Sequence, residues 1–412
     1  MLIILIILFI ICYVFCFTKW WFPLTISVFI LTIVFLYEIF GAYFISSGHK
    51  LNINGWLFFF GVLYFYFWFY TFLYLSRFGL SGIVAHSLIM VSISIFKITL
   101  PLHPFILLYP YIERFLPKTE NTIINLFLLF FLSGVLFSKS SLGFRVTCFS
   151  VAISYFIATN TQIKEFEKKD INIAIIQVGL YFEKGGSTNN FFSDLMMFLN
   201  QNPEVDIIAF SENNFFSYKS EYNQKMSEKL LSDIKGNNFD DKYHLFLSFS
   251  GYKDFNNIIT LYKFAGVSKI NQKMTLIPFI EKPGLFNTIS PPSSEFYTVD
   301  KSHRNSMLKI MGNSVSTYIC YDVFFPDTYN NIGDIVLIQS NYKLLDYGDG
   351  FEHLQRIATY LAKFIKGLRS KIVINIQNTG GTVVISNDWR IDNEIYEISK
   401  NEPFFVIDTS KL

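Results

Sequence analysis

The sequence predicts a polytopic α-helical membrane domain followed by an α/β domain. Three observations predict it: an apolar composition, a sharp step in charge, and interleaved strand and helix patterns after the step. Of 412 residues, 51% are hydrophobic, 19% are aromatic and only 16% are charged. Ordinary soluble chains carry about 25% charge. A disordered chain is excluded, because such chains lack the apolar groups that offset ordering entropy. The net charge of +2 offers a polyanion no general attraction, so no nucleic-acid partner is expected.

The charge step lies near residue 160. Residues 1–160 carry 11 charged residues and the remaining 252 carry 55. This divides the chain into a transmembrane domain at 1–160, a linker at 161–170 and a second domain at 171–412. A bilayer core takes about 20 mostly apolar residues per helix. Residues 2–17 form an almost uninterrupted apolar run. Charges and turn residues cut the rest into stretches at 22–46, 55–75, 78–96, 99–116, 122–138 and 143–159, about seven spans in all. Pro101, Pro104 and Pro110 interrupt the fifth. Trp20, Trp21 and Trp56 fall near proposed ends, where interfacial aromatics anchor helices. The first run lacks a basic leader and a small-residue cleavage site, so it reads as a span rather than a signal peptide. Loop Lys and Arg divide evenly between the two sides, which leaves the orientation open. Glu38, His86 and Lys97 fall in or near spans, where ionisable groups are functional candidates. The plainer reading has Lys97 snorkelling and His86 facing a neighbouring helix.

From residue 171 the pattern alternates. Residues 172–178 and 205–210 read as buried strands, and 190–200 and 222–234 as amphipathic helices. Residues 243–249 and 258–264 read as paired strands. Further strands are predicted at 315–320, 334–339, 371–376, 381–386 and 404–408, with a helix at 351–367. Strands interleaved with helices indicate α/β layers.

Of four cysteines, Cys12, Cys16 and Cys148 lie in apolar spans, and only Cys320 lies in the second domain. A lone Cys there is either core filler or a nucleophile. Its position favours chemistry. A β-rich run ends at Cys320, and the segment after it starts a turn. A thiol at such a turn is held rigidly, and the next backbone N–H can face a developing oxyanion. Glu212 and Lys273 also end or flank apolar strands. A carboxylate can deprotonate the thiol, and an ammonium favours the thiolate and then the oxyanion. Taken singly, each of these charges also fits a solvated loop. The six His are scattered without ligand spacing, so no metal site and no cofactor are expected.

These segments resemble the nitrilase (carbon–nitrogen hydrolase) superfamily, whose catalytic set is Glu, Lys and Cys in that chain order. The Glu segment is I-I-A-F-S-E at 207–212. The Lys segment is K-M-T-L-I-P-F-I-E at 273–281, similar to K-x-x-L-V-P-F-G-E. The nucleophile segment is I-C-Y-D-V-F-F-P at 319–326, similar to I-C-Y-E-x-x-F-P. Downstream, E-H-L-Q at 352–355 and N-T-G at 378–380 resemble the Q-H-L-Q and N-T-G segments. With spans ahead of such a domain, the chain is similar to the apolipoprotein N-acyltransferase branch. The resemblance implies an α-β-β-α sandwich of two mixed sheets. It also implies a multi-pass bacterial inner-membrane protein, monomeric, with its catalytic domain on the periplasmic side.

The implied reaction is transfer of a fatty acyl chain from a phospholipid, through a Cys320 thioester, to the N-terminal amine of a diacylglyceryl apolipoprotein. Glu212 would be the base, and Lys273 with the Tyr321 N–H would hold the oxyanion. Glu281 and Asp322 would orient Lys273 and the thiol, and Asn341 and Asn378 would support the pocket. Two other readings are a membrane-tethered amidase acting on a small amide and a catalytically decayed scaffold. The sequence departs from the pattern in places. Asp322 replaces a Glu, Ile280 replaces a Gly, and N-Y-K-L-L at 341–345 stands where N-D-A-W-F would, without its Trp. No G-F-P-W segment occurs, and the usual final transmembrane helix is missing.

Overall fold

The computed structural model describes residues 71–72, 75, 78–97, 122–137, 142–148, 150, 170–278, 280–283, 296–303, 305–326, 333–342, 351–368 and 370–412. The expected spans at 2–17, 22–46 and 99–116, most of those at 55–75 and 143–159, Glu38, and most of the 161–170 linker lie outside these residues. Two compact units are distinguished by Cα proximity. The first comprises Met1–Pro101, Leu126–Ala152 and Pro278–Phe296, and the second Leu102–Asn125, Ile153–Ile277 and Tyr297–Leu412.

In the first unit, helix α1 covers Gly79–Ile95. Helix α2 runs over Thr122–Phe137, its first turn belonging by proximity to the second unit. Both helices fall where the sequence places apolar stretches. Their described parts are 17 and 16 residues long. Among the described residues no helix is long and apolar enough to cross a membrane, so the expected polytopic domain is not supported there. His86 takes the plainer of its two readings. It is fully buried, its Nδ1 lies 3.0 Å from Thr71 Oγ1, and its ring meets Phe72 and Phe130 edge-on.

The second unit is built from two mixed sheets. The first contains β1 (Asn172–Ile176), β2 (Ile207–Phe210), β3 (His244–Tyr252), β4 (Phe255–Phe264), β5 (Val267–Gln272) and β11 (Phe404–Asp408). Its order is β11-β1-β2-β3-β4-β5. The β1–β2 and β2–β3 pairs are parallel and the others antiparallel. The second contains β6 (Leu308–Ile310), β7 (Asn313–Ile319), β8 (Ile335–Ser340), β9 (Ile372–Gln377) and β10 (Val383–Ser386), in the order β10-β9-β8-β7-β6. There β7–β8 and β8–β9 are parallel.

Strand alternation explains the layering. Ile173, Ile175, Ile207 and Ala209 point to one face of the first sheet and share a core with Val315, Ile335, Leu337, Ile372 and Ile374 of the second. Their neighbours Ala174, Ile176, Ile208 and Phe210 point to the other face. That face packs on α4 (Phe191–Gln201) and α5 (Glu221–Gly236) through Leu195, Leu199, Leu230 and Ile234. A short helix α3 (Val178–Glu183) follows β1, and α6 (Phe239–Lys242) follows α5. On the outer side of the second sheet lie α7 (Phe351–Lys366) and α8 (Asn393–Asn401), with Tyr396 packed on Val383 and Ile385. The α-β-β-α order is the one the resemblance implied. Each fully buried Ile or Leu contributes about 1.5–3 kcal/mol, so the doubly covered first sheet is a rigid base for the residues at its strand ends.

Polar side chains also stitch the sheets together. Gln339 of β8 donates through Nε2 to Phe210 O of β2 at 2.7 Å, and its Oε1 accepts from Thr260 of β4. All three positions are buried. In this dry interface each partner satisfies a group whose desolvation would otherwise cost about 1–3 kcal/mol.

Candidate active site

Glu212 stands two residues beyond the end of β2, and its neighbours on both sides are pinned. Ser211 donates its N–H to Ile176 O at 2.9 Å and its hydroxyl to Asn378 Oδ1 at 3.0 Å. Asn213 turns the chain: its Oδ1 accepts from the N–H groups of Phe215 and Phe216 at 3.1 and 2.9 Å, and its O accepts from Ser250 Oγ at 2.8 Å. The intervening carboxylate has little freedom and is only 5% exposed.

Lys273 follows β5 directly. Its N–H donates to Ile258 O at 2.9 Å, and its carbonyl accepts from Asn257 Nδ2 at 2.9 Å. Its side chain is fully buried, and Nζ lies 3.2 Å from Glu212 Oε1. An ammonium and a carboxylate both withdrawn from water carry a large desolvation penalty, which close pairing offsets.

Cys320 is the first residue of a 3₁₀ turn, Cys320–Phe324, that leaves β7. Its φ is +47°, a left-handed conformation that disfavours residues with a Cβ. The rigid β7–β8 pairing, with Ile319 opposite Gln339, holds the chain up to this bend. The thiol is buried, with 5% exposure.

Two side-chain ties bracket Lys273 and Cys320 together. Upstream, Asn271 Nδ2 donates to Thr317 Oγ1 at 2.7 Å. Downstream, Thr275 Oγ1 donates to Asp322 Oδ1 at 2.8 Å. Lys273 sits midway between Asn271 and Thr275, and Cys320 between Thr317 and Asp322. The Gln339–Phe210 bond performs the same service for the β2 end that carries Glu212. Strand ends from both sheets thus bring the three segments to one region of the sandwich.

The other predicted residues divide. Asp322 is buried and ties the cysteine turn to the lysine segment through Thr275. Tyr321 is buried against Phe324 and Phe325. Asn378 is a brace: its Oδ1 accepts from Gly179 N at 2.8 Å as well as from Ser211, and its O accepts from Leu180 N at 2.8 Å. A Cβ on Gly179 would come within 2.5 Å of Asn378 Nδ2, so a glycine is required there. Asn341 is partly buried just past β8. Glu281 is buried but belongs to the 278–296 segment of the first unit, whereas the described ion-pair partner of Lys273 is Glu212.

The sequence reading passed over Ser211, Asn213, Asn257, Asn271, Thr275 and Gln339. Their signal was present: small polar residues at or just beyond the ends of apolar strands, where backbone groups need partners. It also passed over Tyr342, which is 5% exposed. Burial first, then the Cys320 and Glu212 charges, push the pKa of this phenol upward, opposed by Asn375 and Ser340.

No family model matches the chain, and no curated protein is similar to it. Solved structures do resemble it. The glutamine-dependent NAD+ synthetase from Acinetobacter baumannii aligns over 58% of this chain at 16% identity and a TM-score of 0.40. The alignment covers only 45% of the synthetase. Nit3 from Saccharomyces cerevisiae, a member of branch 10 of the nitrilase superfamily, aligns over 58% of this chain and 90% of its own, at 12% identity and a TM-score of 0.38. An amidase from Nesterenkonia sp. AN1, solved with butyramide, covers the same shares at 14% identity and a TM-score of 0.38. At these identities and scores the likenesses say nothing of activity.

Proposed function

We propose that the chain is a thiol acyltransferase. It would move a fatty acyl group from a membrane phospholipid to the terminal amine of a diacylglyceryl-cysteine on an apolipoprotein. The observation that carries this reading is the buried Lys273–Glu212 pair, laced by side-chain ties to the left-handed turn bearing Cys320.

In the first half-reaction Glu212 takes the thiol proton as the sulfur attacks the ester carbonyl. A C–S bond forms, and the carbonyl π pair moves onto oxygen. Lys273 and the Tyr321 N–H stabilise that oxyanion. The C–O bond then breaks, and the leaving alkoxide takes the proton back from Glu212 as lysophospholipid departs. A thioester remains on Cys320. In the second half-reaction the acceptor amine attacks the thioester carbon, a C–N bond forms, the C–S bond breaks, and the amine proton passes through Glu212 to the sulfur. Ping-pong kinetics follow. The apolar composition of residues 1–160 supports a lipid-borne substrate. Taking an acyl chain into water costs about 0.8 kcal/mol per methylene, so a nucleophile carried by a membrane domain would meet its donor by lateral diffusion. By the resemblance, the catalytic domain would face the periplasm from the bacterial inner membrane.

The test is mass spectrometry of the purified full chain after incubation with phosphatidylethanolamine vesicles. The Cys320 peptide gains one fatty-acyl mass in wild type and none in Cys320→Ala. An unmodified Cys320 peptide, together with ammonia release from small aliphatic amides, would replace this reading with the amidase one.

A further inference from the structure

Tyr342 is a buried phenol that the proposed mechanism does not use. It lies two residues beyond β8, whose parallel pairing with β7 ends at Ile319 and Gln339, so it emerges beside the Cys320 turn. The groups beneath it are already engaged. Asn375 Oδ1 accepts from Ser340 Oγ at 2.7 Å and from Gln377 Nε2 at 3.1 Å, which fills both its lone pairs. Asn375 Nδ2 donates to Thr359 Oγ1 at 2.8 Å. Asn375 and Ser340 act on the Tyr342 oxygen and oppose the upward push on its pKa, but the hydroxyl, shut away from solvent, has no close acceptor for its own proton among the described residues. An unused buried donor costs about 1–3 kcal/mol, and a protein tolerates it most readily where an acceptor arrives later.

We infer that the Tyr342 hydroxyl is an oxyanion donor that bonds the substrate-derived oxygen of the tetrahedral intermediate on Cys320. The inference rests on the thioester reading above. The charges of Cys320 and Glu212 both act on the hydroxyl. On this inference, an oxygen on the carbon that the sulfur attacks comes within reach of the O–H. When the sulfur attacks, the carbonyl π pair becomes an oxygen lone pair that accepts from Tyr342, and no proton is transferred. When the intermediate collapses, the pair returns to the C=O bond and the leaving group departs. Burial holds the phenol's pKa above its ordinary value, so the donor keeps its proton throughout.

The experiment compares wild type with Tyr342→Phe, which removes one oxygen and keeps the ring. The chain is acylated with p-nitrophenyl butyrate, and acyl mass on Cys320 is followed in time. In parallel, Cys320 is alkylated with iodoacetamide, a displacement that passes through no oxyanion. The expected result is acylation slowed about 100-fold with alkylation at the wild-type rate. Equal acylation rates overturn the inference, as does an equal slowing of both reactions, which marks Tyr342 as a packing residue. Failure of wild type to acylate at all removes the thioester reading and this inference together. Acylation by the activated ester but not by phospholipid vesicles removes only the lipid donor and leaves the role of Tyr342 standing.

Discussion

At Lys273 and Glu212, two charges share a buried interior, and each lowers the cost of burying the other. Removing one leaves the other buried without this partner, and breaking a buried pair typically costs about 3–5 kcal/mol. Lys273→Met is therefore expected to lower unfolding free energy by about that amount, and the double variant Glu212→Gln/Lys273→Met to recover most of it. Urea denaturation of the four species of this cycle checks the claim, and additive losses would refute mutual dependence. Cys320 permits a second residue-level prediction. With φ at +47°, any Cβ is strained by about 1–2 kcal/mol. Cys320→Gly should therefore be more stable than Cys320→Ala by about 1 kcal/mol, the reverse of the usual order. If Ala is the more stable, the turn relaxes freely and does not present the thiol under strain.

Among elements, the strands were the most legible feature of the sequence, because burial on both faces writes continuous apolar runs. The runs at 172–178, 371–376 and 404–408 emerge as β1, β9 and β11 within a few residues. Two of the elements missed have residues that do not show burial. β5 reads V-S-K-I-N-Q, with its first three residues exposed at the sheet edge, and α8 is largely polar. The catalytic candidates were legible from their segments, but Gln339 and Tyr342 were not. A buried amide or phenol is visible only when the groups it faces are known. Gln339→Leu offers a test: it keeps bulk but leaves Phe210 O and Thr260 Oγ1 without this partner, at an expected loss of about 1–3 kcal/mol. Unchanged stability would mean that the sheets hold together on apolar contact alone. The start of β3 adds a pH dependence. His244 stacks on Phe264, its Nδ1 lies 2.8 Å from Tyr262 Oη, and burial lowers its pKa from 6.5, opposed by the Asp206 charge. The unfolded chain therefore binds this proton at higher pH than the folded one. Stability from this site is complete above pH 6.5, falls as pH drops toward the lower folded value, and levels off below it. His244→Gln should flatten that limb in thermal melts between pH 7 and 5, and an unchanged slope would assign it to other groups.

For the molecule as a whole, composition and topology speak to different halves. The sandwich closes when β11, the last strand, returns to pair with β1, the first. No local pattern announces this, because pairing between distant segments depends on the complete set of exposed edges. The N-terminal part is the opposite case: composition is eloquent there, while no helix among the described residues is long and apolar enough to cross a membrane. Residues 1–160 contain only 11 charged side chains, and a segment this apolar must be covered by lipid, by protein or by aggregation. Lipid is the cover the proposed substrates require, since both would be anchored in a bilayer. The full chain is thus expected to sediment with membranes, to resist an alkaline carbonate wash, and to be released by detergent as a monodisperse species. Recovery of folded chain in the carbonate supernatant would refute membrane anchorage. Lipid acyl transfer would then lose its physical rationale, and hydrolysis of a small, water-borne amide would become the better use of the same thiol, ammonium and carboxylate.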